Sequence, residues 1–233
     1  MLLNYRCIIL DDQGLYIDSV QHSFYGNNVL TGVFLHCKKG DVIGLLGRNG
    51  SGKSTLLKII FGSLRASFKY QKLNGKLIMC GYRSGEIAYL PQDNFIPSGL
   101  TVIEAIELLC NRFRENLKVI DSVKPHLNNK FSQLSGGQRR LIECLIILYS
   151  DQEFVLLDEP FSQLSPLLID EIRQHIKYVC TFKGIVVTDH YYEHIVACST
   201  KIILLHNGCN YPIGSTDDLA RHGYLPSRST QLK

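Results

Sequence analysis

Short unbroken apolar runs punctuate this chain at Val42-Ile43-Gly44-Leu45-Leu46, Phe154-Val155-Leu156-Leu157 and Gly184-Ile185-Val186-Val187-Thr188. A run without polar interruption predicts a strand buried on both faces, as in a parallel sheet. Helical stretches lie between the runs. Leu56-Leu57-Lys58-Ile59-Ile60 follows the first, and Leu141 to Leu148 precedes the second. A third helix, about Leu167 to Cys180, carries an amphipathic row of Leu168, Ile172, Ile176 and Val179, with Ser165 as cap and Pro166 as its first residue. Strand alternating with helix predicts an α/β core.

The pattern differs before Gly40. Leu15 to His22 and Val29 to Cys37 alternate enough for antiparallel strands, which Lys72 to Cys80 is expected to join. This antiparallel β subdomain should lie mainly within 5–40 and 72–90. Thr101-Val102-Ile103-Glu104 has the spacing of a capping box, and the chain from there to about His126 should be mostly helical, giving a short α-helical subdomain over about 98–134. Lys201 to His206 and Cys209 to Ile213 flank Asn207-Gly208, a tight hairpin, and Ser215-Thr216-Asp217-Asp218 opens a last short helix. With no internal repeat or low-complexity linker, residues 1–225 are expected to form one domain, followed by a loose polar tail at 226–233.

The candidate chemistry begins where the first buried strand ends. Gly47-Arg48-Asn49-Gly50-Ser51-Gly52-Lys53-Ser54-Thr55 has the spacing G-x-x-x-x-G-K-S between a strand and a helix, the pattern of a loop that wraps a triphosphate. Its glycines let backbone N–H groups converge on phosphate oxygens, and the following helix start adds partial positive charge. Lys53 supplies a full charge to the β- and γ-phosphates, and the Ser54 hydroxyl is placed to ligate Mg²⁺. The expected core is therefore that of a P-loop NTPase: a mostly parallel sheet flanked by helices.

Two further motifs narrow the class. Leu134-Ser135-Gly136-Gly137-Gln138 leads into the apolar helix from Leu141, and Phe154 to Leu157 ends in Asp158-Glu159-Pro160. In this order and context the chain resembles the ATP-binding cassette (ABC) ATPases, from about Leu15 to about Asp218. The resemblance implies that Asp158 holds Mg²⁺ through water and that Glu159 polarises the attacking water. Ser135, Gly136, Gly137 and Gln138 read locally as a helix cap or a second anion site. The resemblance has them bind the γ-phosphate of ATP held by a second ABC ATPase subunit, so that two chains, alike or different, would enclose two ATP molecules. Leu90-Pro91-Gln92 is similar to the family's glutamine loop, which gives Gln92 a place at Mg²⁺, at the water and in sensing a transport partner. His190 is similar to the switch histidine that contacts the γ-phosphate. His190 and His194 also stand at i, i+4 spacing, which suits a metal pair, but no third ligand lies nearby. Phe24-Tyr25-Gly26 falls where family members carry an adenine-stacking aromatic; Tyr25 is preferred to Phe24, with a core aromatic as the alternative.

Departures from the family pattern matter too. Ser162-Gln163-Leu164-Ser165 stands where the family reads S-x-L-D, so coupling between the two sites is in question, and Arg48 replaces a common proline. The segment between Gln92 and Ser135 is short, which rules out the long coiled coil of DNA-repair relatives, and one cassette in the chain differs from the paired cassettes of ribosome-acting ones. The resemblance then implies a Mg²⁺-dependent ATPase, cytoplasmic and peripheral on the membrane, that powers a separate membrane-spanning subunit. The run Thr188-Asp189-His190 leans slightly toward export. The alternatives are a soluble ABC ATPase or a regulatory cassette that hydrolyses weakly.

Composition adds exclusions. The 233 residues carry a formal charge of +4, but the basic residues are dispersed. Lys38-Lys39 and Arg139-Arg140 read as pairs on a solvated surface, so no nucleic-acid partner is expected. The eight cysteines form no C-x-x-C pair and several sit in apolar settings, as suits reduced thiols. Residues 1–6 are too short and polar for a signal peptide, and no run has the length of a membrane span.

Overall fold

The computed structural model describes residues 13–225. The expected strand region at 5–12 and the tail at 226–233 lie outside the described residues. Strands β1 (Leu15–Phe24) and β2 (Asn27–Cys37) form a hairpin through Tyr25-Gly26, both with positive φ (49° and 84°), as a two-residue turn between twisted strands requires. The chain continues through β3 (Val42–Leu46), α1 (Lys53–Phe61), β4 (Phe68–Leu73), β5 (Lys76–Leu77) and β6 (Ile87–Leu90). Then come α2 (Val102–Leu109), α3 (Arg114–Lys118), α4 (Gly136–Leu148), β7 (Phe154–Asp158), α5 (Pro166–Val179) and β8 (Gly184–Thr188). Helix α6 (Tyr192–Cys198), the hairpin β9 (Lys201–His206) and β10 (Cys209–Ile213), and α7 (Thr216–Arg221) complete it.

Among the described residues the strands make two sheets, ordered β2-β1-β4-β5 and β10-β9-β3-β8-β7-β6. The first is antiparallel; in the second only β10 runs against its neighbour. Side chains of the parallel strands alternate between two cores, as the pleat dictates. Val42, Leu46, Val155, Leu157, Ile185 and Val187 face the helical side with α2, α4, α5 and α6. Ile43, Leu45, Phe154, Leu156 and Val186 face α1 and the antiparallel sheet.

Several expectations need correction. The strand that pairs with the hairpin is Phe68–Leu73; of Lys72 to Cys80 only Lys72, Leu73 and β5 join the sheet, because Asn74-Gly75 turns the chain at positive φ (48° and 79°). Ile87–Leu90, expected in the antiparallel layer, is the edge strand of the parallel sheet, paired with β7; four residues are too few for alternation to show which sheet they join. The Thr101–Glu104 capping box forms, but the helix stops at Leu109, and α3 and a single turn at Lys124–His126 follow instead of a continuous helix. Ser165 does precede α5 in extended geometry, yet its hydroxyl makes no cap bond. Ile169, Ile172, Ile176 and Val179 are that helix's buried residues, with Leu168 only half-buried.

Candidate active site

Four loops leave the carboxyl ends of the adjacent strands β6, β7, β8 and β3, where open α/β sheets place ligands. They carry Gln92, Glu159, His190 and the glycine-rich loop. Together they line a cavity of about 490 Å³ that includes Asn49 to Thr55, Gln92, Glu159 and His190.

The glycines are fixed by close approach. A Cβ on Gly47 would collide with the Ser51 hydroxyl and sit 2.8 Å from the Leu205 carbonyl oxygen. Gly52 has φ 100° and would press a Cβ against Val29 and Leu30 at 2.9 Å. Lys53, 6% exposed, donates to the carbonyl oxygens of Gly47 (2.8 Å) and Arg48 (3.3 Å). Burial holds its pKa below the usual lysine range, while Glu159, Asp158 and Asp189 pull the other way. The Ser51 Oγ is buried without a hydrogen-bond partner. A buried ammonium held only by carbonyl oxygens, a helix start and an unsatisfied hydroxyl suit a polyphosphate.

Asp158 is fully buried at the end of β7. Its Oδ1 accepts from Ser54 Oγ (2.9 Å) and Thr188 Oγ1 (3.0 Å), and its Oδ2 from the Tyr89 hydroxyl (3.0 Å). Burial and the neighbouring Asp158 push the Tyr89 phenol far up, so it stays a donor. Ser54, Asp158 and the amide oxygen of Gln92 are hard oxygen donors, which fit Mg²⁺.

Glu159 has φ 50°, a left-handed conformation that costs a non-glycine residue on the order of 1–3 kcal/mol and persists only when its surroundings hold it. Its N–H bonds the Thr188 carbonyl oxygen (3.0 Å). Its carboxylate takes Gln92 Nε2 on Oε2 (2.8 Å) and lies 3.1 Å from His190 Nδ1 on Oε1. Gln92, Glu159 and His190, distant in sequence, therefore meet as one constellation. His194 packs edge-on against Phe161 and tilted against Tyr191.

Other site residues fall differently. Tyr25 is fully exposed at the hairpin tip, and Phe24 lines the cavity instead, packed edge-on against His22 with centroids 4.5 Å apart. The turn sets this: Tyr25 takes a positive-φ turn position, while Phe24 is the last strand residue. The Arg48 side chain points to the C-terminal turn, donating to the Gly223 carbonyl oxygen (2.6 Å). Ser135 caps α4 in a capping box with Gln138, and Ser135, Gly136, Gly137 and Gln138 do not line the cavity of their own chain. Arg139-Arg140 is not a solvated pair, because the two guanidiniums turn inward to carbonyl and carboxylate acceptors; Arg140 is 6% exposed. Sequence reasoning also missed Asp189, fully buried, whose carboxylate accepts from the N–H groups of Phe161 (3.2 Å) and Tyr191 (3.1 Å) and so braces the loops after Glu159 and His190. Its place in the polar end of the β8 run was the available signal.

Comparison with known proteins agrees with this geometry. The family model described as ABC transporter matches residues 30–162. An uncharacterized ABC transporter ATP-binding protein of Rhizobium meliloti is 30% identical over 89% of this chain and 83% of its own. The thiamine import ATP-binding protein ThiQ of Photobacterium profundum is 31% identical over 79% of this chain and 82% of its own. A solved ATP-binding subunit of an ABC transporter superposes with a TM-score of 0.79 at 23% identity, covering 93% of this chain and 96% of the other. The chain belongs to the ABC transporter family, as an ATP-binding cassette ATPase.

Proposed function

We propose that this cassette works as one of a pair, each chain supplying its phosphate loop to one ATP and its Ser135–Gln138 turn to the other, and that the closure and opening of the pair drives a separate membrane-spanning subunit. The observation that carries the pairing is the position of Ser135 to Gln138 outside the cavity that Lys53, Gln92, Glu159 and His190 share. In this reading Lys53 and the amides of Gly47 to Thr55 hold the β- and γ-phosphates. Ser54, Asp158 and Gln92 would hold Mg²⁺, which neutralises phosphate charge. Glu159, aimed by Gln92 and His190, orients the water and takes its proton, and His190 faces the γ-phosphate. The Phe24 ring, rather than Tyr25, is positioned to meet the adenine.

The cassette would sit peripherally on the cytoplasmic face of the membrane. An apolar groove of about 430 Å³, lined by Tyr82, Ile87, Tyr89, Pro91, Phe95 and Leu109, is assigned to the membrane subunit's cytoplasmic segment. Pro91 lines this groove and its neighbour Gln92 lines the ATP cavity, so an occupant of one lies a residue away from the other. The relatives matched over most of this chain include the thiamine import ATP-binding protein ThiQ, so the slight lean toward export is not confirmed.

Light scattering tests the pairing. With Glu159→Gln to preserve bound ATP, Mg-ATP should convert monomer to dimer, with a second cassette added if the natural pair is mixed. Adding Ser135→Arg should keep the chain monomeric with ATP still bound. A Ser135→Arg chain that dimerises on ATP contradicts the composite site.

A further inference from the structure

The two arginines after the Ser135–Gln138 turn make six contacts, five of them to residues far away in sequence. Arg140 donates to three backbone carbonyl oxygens: Pro91 (2.7 Å), Asp158 (2.7 Å) and Glu159 (2.9 Å). Arg139 donates to Ile96 O (2.6 Å), Ser98 Oγ (3.1 Å) and Glu143 Oε1 (3.1 Å). Glu143 is fully buried, and its Oε1 also accepts the Ile96 N–H at 3.4 Å. Pro91 and Ile96 to Ser98 bracket the loop that carries Gln92, so one guanidinium grips each end of it. Arg140 additionally holds the carbonyl of Glu159, the residue in the left-handed conformation.

All three Arg140 acceptors are carbonyls, so its guanidinium does not occupy the carboxylates of Asp158 and Glu159. A buried guanidinium is costly unless its donors are used, and a hydrophobic residue would serve for packing alone. The planar fork can span two chain segments at once, which a lysine ammonium on a single stem does less well.

We propose that Arg139 and Arg140 are positioning residues for ATP hydrolysis: they fasten both ends of the Gln92 loop, and the backbone of Asp158 and Glu159, to the first turn of α4. A displacement of the Ser135–Gln138 turn then reaches Gln92 and Glu159 together. The proposal rests on the assignment of Gln92 and Glu159 to the hydrolysis site.

Steady-state Mg-ATP hydrolysis by the full chain tests it. Arg140→Met should lower kcat about 10- to 100-fold, the scale of a misplaced reacting group, with KM changed less than about twofold because the phosphate loop is untouched. Arg140→Lys should recover part of the loss, and Arg139→Met should lose less than Arg140→Met. A wild-type kcat in Arg140→Met, a loss confined to KM, or an Arg140→Lys no better than Arg140→Met overturns the proposal. If Arg140→Met does not fold, Arg140→Lys decides alone: a lower kcat at unchanged KM supports the proposal, and a wild-type kcat overturns it. Glu159→Gln in the same assay separates the two readings. An active Glu159→Gln overturns the site assignment and the proposal with it, whereas an inactive one beside a fully active Arg140→Met overturns the proposal alone.

Discussion

Ser54 Oγ donates to Asp158 Oδ1 across 2.9 Å, joining the end of the phosphate loop to the end of β7 although 104 residues separate them. Two hard oxygen donors at that distance, one of them fully buried, suit the protein's side of the Mg²⁺ site proposed above. Thr188 and Tyr89 complete the carboxylate's hydrogen bonds and fix its orientation.

Asp158→Asn should therefore raise the Mg²⁺ concentration needed for half-maximal hydrolysis. Losses of about 10- to 100-fold accompany removal of groups that support a bound metal. A Mg²⁺ titration of the initial rate measures it, and an unchanged midpoint contradicts the assignment.

Lys53→Ala should weaken nucleotide binding itself. A hydrogen bond to a charged group is worth about 1.5–3 kcal/mol, which corresponds to roughly 10- to 100-fold in affinity. Titration with a fluorescent ATP analogue reads this directly, and wild-type affinity would remove Lys53 from the phosphate site.

Much of this was legible in the sequence because the motifs are local. The phosphate loop, Asp158-Glu159 and the Ser135 cap each carry their chemistry within a few residues, and unbroken apolar runs marked β3, β7 and β8. What was illegible depends on distant partners. Arg139-Arg140 reads as a surface pair until Pro91, Ile96 and the end of β7 supply acceptors from elsewhere in the chain. Ile87–Leu90 could not be assigned to a sheet without its partner β7. Which of Tyr25 and Phe24 lines the cavity was also illegible, because one residue's difference in turn register decides it.

Lys183 supplies a pH prediction. It is 2% exposed, donates to the carbonyl oxygens of Leu148 (2.9 Å) and Ser150 at the end of α4, and burial lowers its pKa from 10.5 to about 8. Between those values the unfolded chain holds the proton and the folded chain does not, so this group's contribution to stability rises as pH climbs from about 8 toward 10.5 and is lost on the way back down. The melting-temperature advantage of wild type over Lys183→Met should widen across that window. A flat difference from about pH 8 to 10.5, the window of the shift, would contradict it.

Leu157, fully buried on the helical side of β7, has no exposed surface to lose. Leu157→Ala should destabilise the fold by about 2–5 kcal/mol, measured by urea unfolding, and displace the neighbouring Asp158 enough to reduce hydrolysis. A change below about 1 kcal/mol would mean the site closes up around the deletion.

The most direct test is single-turnover hydrolysis by Glu159→Gln beside its ATP affinity. The carboxylate that Gln92 and His190 orient should be dispensable for binding and essential for the water. Affinity should match wild type while the rate falls by about 10²–10⁴, the range for loss of a general base. Hydrolysis at the wild-type rate would contradict the central claim that Glu159 activates the water.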